Sequence, residues 1–280
     1  MTINKKSPKE IVLESGLKPK KSFGQNFMLD QKVNILFAQA VADFGSELRV
    51  VEIGAGTGSL THHLLRISQK LDVIERDRDL IPILSKEFAD SITSGRLLIH
   101  EADGARFDLS SIIPSNNSAV LVGNLPYHLT SSIIFLMLKY LDYLKGAVFL
   151  VQKEVADRLN AEVNTKSYGF LTVVLNLLFE IEKVTNVNRN AFWPIPKVDS
   201  SIIKLRRRKD NTKVNDLDDF VAFVREVFQQ RRKKLSTILR SKISKDNFEN
   251  IAIDGNNRPE NLTAHEFLNL YHQVSKNKIS

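Results

Sequence analysis

The 280-residue chain has no cysteine. That excludes disulfides, a thiolate nucleophile and any cysteine-ligated zinc. Histidine is scarce: His62, His63, His100, His128, His265 and His272 form neither an H-x-x-x-H pair nor an HExxH. No metal site is expected. Long apolar runs are missing too. The longest block, IIFLML (133–138), is far shorter than the roughly 20 residues needed to cross a bilayer. The opening MTINKKSPKEIVLESGLKPKKSFGQNF holds no apolar core of signal-peptide length. A soluble, cytoplasmic protein with no membrane partner is expected. There is no internal repeat or low-complexity segment. Acidic residues are outnumbered: 32 Asp and Glu stand against 40 Lys and Arg, a formal charge of +8. Such an excess suits a polyanion, nucleic acid before membrane, although it also fits a merely soluble basic protein.

What the chain does have is a regular alternation. Apolar runs recur up to about residue 205: RVVEI (49–53), LDVIE (71–75), RLLIH (96–100), AVLVG (119–123) and AVFLVQ (147–152). Nearly continuous apolarity is expected of parallel strands covered on both faces. Helical patterns lie between them. TSSIIFLMLKYL puts Ile133, Ile134, Met137, Leu138 and Leu141 on one face behind Thr130 as N-cap. FEIEKVTNV (179–187) and VDSSIIKL (198–205) are joined by a connection too short for a helical crossover, so an antiparallel pair at a sheet edge is expected. The fold class is α/β, a Rossmann-like, seven-stranded, mostly parallel sheet with a small C-terminal helical domain. After RRRKDNTK (206–213) strand signals cease. DLDDFVAFVREVFQQ, RRKKLSTILRS and TAHEFLNLYHQVSK read as helices, the last with Thr263 and Glu266 at capping-box spacing. The expected division is a main domain over 1–205 and a helical domain over 206–280.

Gly54, Gly56 and Gly58, in VVEIGAGTGSLT, follow the first strand and precede a helix. Glycines there let the backbone approach a ligand closely. The spacing is G-x-G-x-G; a dinucleotide-binding dehydrogenase would place its third glycine one residue later. Glu52 stands two residues before the loop. A negative charge there suits a cationic ligand better than a pyrophosphate. S-adenosylmethionine carries a sulfonium and an ammonium and no phosphate. Glu75 ends the second strand, where an acid can accept both hydroxyls of a ribose. Asp103, after the third strand, can accept from an adenine amine or cap the next turn.

LVGNLPYHLT (121–130) follows the fourth strand on the same carboxyl edge. Asn, Pro and Gly are turn residues, and Tyr can cap a core. The same residues can hold a flat nitrogen base. An exocyclic aromatic amine is a poor nucleophile, because its lone pair is delocalised into the ring. Carbonyl oxygens accepting its N–H bonds draw the nitrogen toward tetrahedral geometry. The Asn124 side chain and the Leu125 backbone carbonyl are candidate acceptors. Pro126 fixes the turn without a competing N–H, and Tyr127 can stack on the base. In-line positioning, not a strong base, would supply most of the acceleration.

An N-L-P-Y element after a G-x-G loop resembles amino-group methyltransferases of the class I, S-adenosylmethionine-dependent type. The NLPY form, rather than NPPY, is similar to the ribosomal RNA adenine N6,N6-dimethyltransferases and sets DNA adenine methyltransferases aside. KKSFGQNFMLD (20–30), VIERDRDL, QKEVADRL, AFWPIPKVDSSIIKL, QQRRKKL and RPENLTAHEF all resemble the bacterial small-subunit (16S) branch. The resemblance implies dimethylation of two adjacent adenosines in a hairpin loop near the 3′ end of 16S rRNA, in the small subunit or its precursor, during ribosome assembly. It implies that Asn124, Leu125, Pro126 and Tyr127 serve catalysis, by a chain acting as a monomer. It implies a cofactor pocket of Asn26, Met28, Gly54, Gly56, Glu75, Asp103 and Asn124. Two positions depart from the family pattern: Met28 stands where leucine is usual, and His128 where Asn or Tyr is commoner. His128 reads as a turn residue.

Flipped bases need a platform. Phe192 and Trp193 are candidates beside Tyr127, although aromatics next to prolines also serve as hydrophobic plugs. Lys197, Arg207, Arg231, Arg232 and Lys233, with Lys18, Lys20 and Lys21, are candidate phosphate contacts. An arginine of QQRRKKL can instead orient the helical domain through an ion pair. Two other readings are the 23S rRNA dimethylase of the macrolide-resistance type and a non-catalytic ribosome assembly factor.

Overall fold

The structure is a computed structural model that describes residues 6–114, 118–209, 214 and 216–277. Part of the basic run, residues 210–213, lies outside the described residues. The strands are β1 (Phe27–Met28), β2 (Leu48–Ile53), β3 (Ser68–Glu75), β4 (Leu97–Glu101), β5 (Ala119–Asn124), β6 (Leu144–Gln152), β7 (Phe179–Val187), β8 (Phe192–Trp193) and β9 (Ser200–Arg207).

Among the described residues, seven of these form one sheet in the order β4-β3-β2-β5-β6-β9-β7. β2 to β6 pair in parallel, and β9 runs antiparallel to β6. The apolar runs are the reason: Val120, Leu121, Val122, Val148, Phe149 and Leu150 are fully buried, as strands covered on both faces require. β9 is inserted between β6 and β7, leaving β7 at the edge. The order reverses between β2 and β5, whose register pairs Glu52 with Val122. Their carboxyl ends therefore emerge side by side, at the switch point where open α/β sheets bind ligands.

Thr130 is the first helical residue of Thr130–Lys139, not its N-cap, and its hydroxyl is buried without a partner. The helix is held by its apolar face, with Ile133, Ile134, Met137 and Leu138 buried. The chain also does not divide once near residue 206. One compact unit comprises residues 1–156 and 182–207, the other residues 157–181 and 208–280.

The segment that joins the second unit carries the helix Phe170–Leu178. Thr172, Val173, Val174, Leu175, Leu177 and Leu178 are all buried there. In the same unit it packs against the helices Leu217–Gln229 and Ala264–Asn277. The second of these has its capping box: Thr263 N donates to Glu266 Oε2 at 2.7 Å, and Glu266 N to Thr263 Oγ1 at 3.2 Å. Phe228 stacks on Phe267 at 5.5 Å between these helices. The expected helix in RRKKLSTILRS is only Leu235–Ile238. No helix of the described residues is long and apolar enough to cross a membrane.

Candidate active site

A cavity opens at the carboxyl rim where β2 and β5 diverge. Its floor is the glycine loop. Gly54 and Gly56 have φ of +74° and +60°, conformations that disfavour any side chain. A Cβ on Gly54 would meet nothing within 4 Å. The backbone there faces open space in the cavity wall, the cradle a ligand can press against. Gly56 N donates to Glu75 Oε2 at 2.9 Å, and Asp77 N donates to Glu75 Oε1 at 2.9 Å. Two amides thus aim the carboxylate at the end of β3, while burial raises its pKa. Glu52 is deeper, only 1% exposed. Burial pushes its pKa up to about 8, against one hydrogen bond, 2.7 Å, from Thr61 Oγ1. Two buried acids beneath an open glycine cradle form a pocket for a cation with hydroxyls, not for a phosphate. S-adenosylmethionine fits that donor set.

Asp103 also lines the cavity. Its Oδ1 accepts from Ala105 N at 3.0 Å, and its Oδ2 lies 3.5 Å from Arg76. It caps the turn and faces the cavity; the two readings do not compete.

Asn124 ends β5 at the rim. Its Nδ2 donates to the backbone oxygen of Asn26 at 3.1 Å. That bond settles the amide: the NH2 is committed to the protein, and Oδ1 remains as an acceptor. Leu125 is buried and its N–H is bound to Leu150 O at 3.1 Å. Pro126 leads into a short 3₁₀ turn, Tyr127–Leu129. The exposed His128 sits in that turn, as its reading as a turn residue requires. Asn26 itself belongs to an arm across the cavity. Its side chain donates to Gly24 O at 3.1 Å, and Met28 pairs in β1 with Phe192 of β8. Gln25 and Lys20 bind the buried Asp77. Burial works to raise the Asp77 carboxyl, but Lys20 and Gln25 hold it below its ordinary value.

The aromatic walls differ in kind. Tyr127 is half-buried, and its hydroxyl lies 2.9 Å from Ser200 Oγ. Burial raises its pKa, so it stays a neutral phenol. Phe192 is 2% exposed and belongs to the main hydrophobic core. It is no solvent-facing platform; it lines the cavity and can meet only a group inside it. Trp193 stacks on Phe27 at 6.2 Å and packs there as a plug. Ser200 is fully buried at the start of β9. We expect Ser200→Ala and Tyr127→Phe each to lower kcat by about threefold to tenfold, the effect of about one hydrogen bond. Their double variant should lose no more than either single one, because both remove the same bond. Additive losses would reject the tether.

Several basic candidates are already engaged. Arg207 donates to Leu141 O at 2.9 Å and to Asp142 at 2.8 Å. Arg231 pairs with Glu260 and donates to Lys166 O at 2.7 Å and Thr165 O at 2.9 Å. Lys20 is held by Asp77 and Asp79. Neither Arg207, Arg231 nor Lys20 is a free cation, because each sits beside acceptors that fix it. Lys18, Lys21, Lys197, Arg232 and Lys233 are exposed. Asp77, Ser200 and the β1–β8 pairing were not anticipated: each depends on a partner far away in sequence.

The ribosomal RNA adenine dimethylase family model matches residues 16–276. Ribosomal RNA small subunit methyltransferase A of Laribacter hongkongensis is 39% identical over 251 residues, covering 89% of this chain and 94% of the relative. The protein of the same name from Marinomonas is 36% identical, covering 92% and 96%. Among solved structures, a dimethyladenosine transferase from Plasmodium falciparum superposes with a TM-score of 0.77 at 27% identity, covering 90% of this chain and 98% of that one. The 23S rRNA methyltransferase ErmE gives 0.69 at 26% identity, covering 89% and 100%.

Proposed function

Because this chain belongs to the ribosomal RNA adenine dimethylase family, we propose that it dimethylates N6 of two adjacent adenosines in 16S rRNA. The acceptor lies in a hairpin loop near the 3′ end, and the chain acts as a monomer on the small subunit or its precursor during assembly. One observation carries the reading. The Asn124 amide, fixed by Asn26 O, presents a carbonyl oxygen beside the glycine loop and the two buried acids.

S-adenosylmethionine is the cofactor, and when bound it supplies an electrophilic methyl on a sulfonium. Gly54, Gly56, Glu52, Glu75 and Asp103 would hold it, with Asn26 and Met28 of the arm alongside. The chain's own part is to receive the base. Asn124 Oδ1 and the Leu125 carbonyl accept from the adenine amine and draw its lone pair out of the ring. Tyr127, tethered by Ser200, stacks on the base plane, worth about 1–3 kcal/mol. Phe192 closes the far wall. No group need act as a strong base, since the methylated amine sheds its proton to water.

The higher identity to relatives named for the small subunit, 36–39% against 26% for the 23S enzyme, supports 16S rRNA as the target. Unmethylated small subunits are incubated with the protein and labelled S-adenosylmethionine, and the RNA is digested to nucleosides. N6,N6-dimethyladenosine in 16S rRNA is the expected product. Label in large-subunit RNA alone would reject the target; no label in either would reject the activity.

The basic residues divide into two classes with different readouts. Arg232→Ala and Lys233→Ala should weaken subunit binding and each lower the salt slope by about 1. Arg231→Ala should instead lower the melting temperature, since three acceptors lose their donor, at about 1–3 kcal/mol. A salt-slope change in the Arg231 variant with unchanged melting would reverse this assignment.

A further inference from the structure

We propose that Asn34 is a cofactor-binding residue, its Nδ2 donating to the carboxylate at the amino-acid end of S-adenosylmethionine. The inference rests on the function proposed above. Asn34 lies in the first turns of the helix Gln31–Ala42, which Asp30 caps by accepting from Lys32 N at 2.8 Å. Phe37, Ala38 and Val41, three, four and seven residues on, are buried with it. An asparagine interrupts what is otherwise an apolar helix face.

Its burial is nearly complete, at 2% exposure, yet Nδ2 has no hydrogen-bond partner. Buried amide donors are almost always paired, and leaving one unpaired is costly. Asn34 also lines the cavity, where Met28, Phe37 and Leu60 share the wall with it. Those side chains offer no acceptor. No protein group completes Asn34 Nδ2, and a ligand group bound in the cavity that it lines is placed to do so.

The chemistry of the ligand selects which group. Glu75 suits the ribose hydroxyls, Asp103 the adenine amine, and Glu52 a positive charge. The carboxylate is left. It needs a donor and is repelled by the cavity's own acids. Asn34 supplies an uncharged donor that is already desolvated, so the hydrogen bond to a charged acceptor forms at little further cost. An alanine or leucine here would make a better core and a poorer site.

That opposition defines the test. Asn34→Leu nearly preserves volume and removes the orphaned donor. Binding of S-adenosylhomocysteine and of 5′-methylthioadenosine, which lacks the amino-acid end, is measured for the wild type, Asn34→Leu and Asn34→Ala. Melting of each protein without ligand is recorded in parallel. Asn34→Leu is expected to weaken S-adenosylhomocysteine by about tenfold or more. It should leave 5′-methylthioadenosine unchanged and raise the melting midpoint by about 2–4 °C. Asn34→Ala should share the binding pattern. Unchanged binding of S-adenosylhomocysteine overturns the proposal, and so does an equal loss for both ligands. A lowered midpoint in Asn34→Leu overturns it too, because the amide would then be satisfied in the free protein. A wild type that binds neither ligand refutes the proposed function itself, a result distinct from a wild type that binds both and an indifferent Asn34 series.

Discussion

Asn124→Ala is expected to lower kcat for rRNA methylation by about 10²–10³-fold, the cost of removing one preorganised polar group aimed at the reacting atom. Asn124 is only partly buried, so the fold should survive the truncation. Its Oδ1 is the acceptor that localises the lone pair of the adenine amine. Its Nδ2, bonded to Asn26 O at 3.1 Å, fixes the amide and leaves that oxygen as the acceptor of a residue that lines the cavity. The two halves of the amide can be separated. Asn124→Asp keeps an acceptor but cannot donate to Asn26 O, so the carboxylate loses its orientation. Its kcat should fall between wild type and Asn124→Ala. Cofactor affinity should fall in both, because Asn124 and the Asn26 it holds line the cofactor pocket, but by much less than kcat, since the glycine loop and the buried acids are untouched. Single-turnover methylation with equilibrium binding of S-adenosylhomocysteine measures both quantities. An alanine variant with wild-type kcat would remove the amide from the mechanism.

The sheet was legible because burial on both faces leaves an unmistakable trace. Val120 to Val122 and Val148 to Val151 have no exposed face, so their runs are continuously apolar. The rim was legible for a related reason. A glycine cluster directly after the first strand, with acids at or just after the carboxyl ends of the neighbouring strands, marks the edge where open α/β sheets bind ligands. What escaped has equally physical causes. The helix Phe170–Leu178 is a nine-residue run, apolar at all but Thr172 and Asn176 and with six residues buried, too short for length to separate it from a buried strand. Missing it put the domain boundary at residue 206. Phe192 looked like a surface platform because two-residue strands leave no periodic signal; only the pairing with Met28 draws it into the core. Arg231 looked like its neighbours Arg232 and Lys233, although the carbonyls of Thr165 and Lys166 fix it. Asn34 did carry a signal, a polar residue on an apolar helix face, but that pattern alone does not distinguish a tolerated defect from a site.

Cofactor affinity should depend on pH through Glu52. In the free protein burial holds this carboxyl protonated up to about pH 8, far above the ordinary 4.5. Unfolded chains lose that proton near 4.5, so the group's contribution to stability is fully present below that pH. It is lost progressively as pH rises through about 8. A cation brought beside Glu52 favours the carboxylate and reverses the effect of burial. Binding therefore expels a proton at any pH between the bound-state value and about 8. Affinity for S-adenosylmethionine should rise by up to about tenfold per pH unit between the bound-state and free-state values and level off above about 8. Calorimetry in buffers of different ionisation enthalpy should count about one proton released per site near neutral pH. Glu52→Gln cannot ionise. Its affinity should be flat with pH and match the weak, low-pH limit of the wild type. The neutral 5′-methylthioadenosine offers Glu52 no charge to compensate, so its binding should release no proton to either protein. If Glu52→Gln kept the slope, or the uncharged ligand showed it, the buried acid would not be the group that recognises the cation. Thr61 makes the difference measurable: its hydroxyl holds Oε2 at 2.7 Å in the free protein, so ionisation of Glu52 changes the charge in the cavity without having to recruit a new partner for that oxygen.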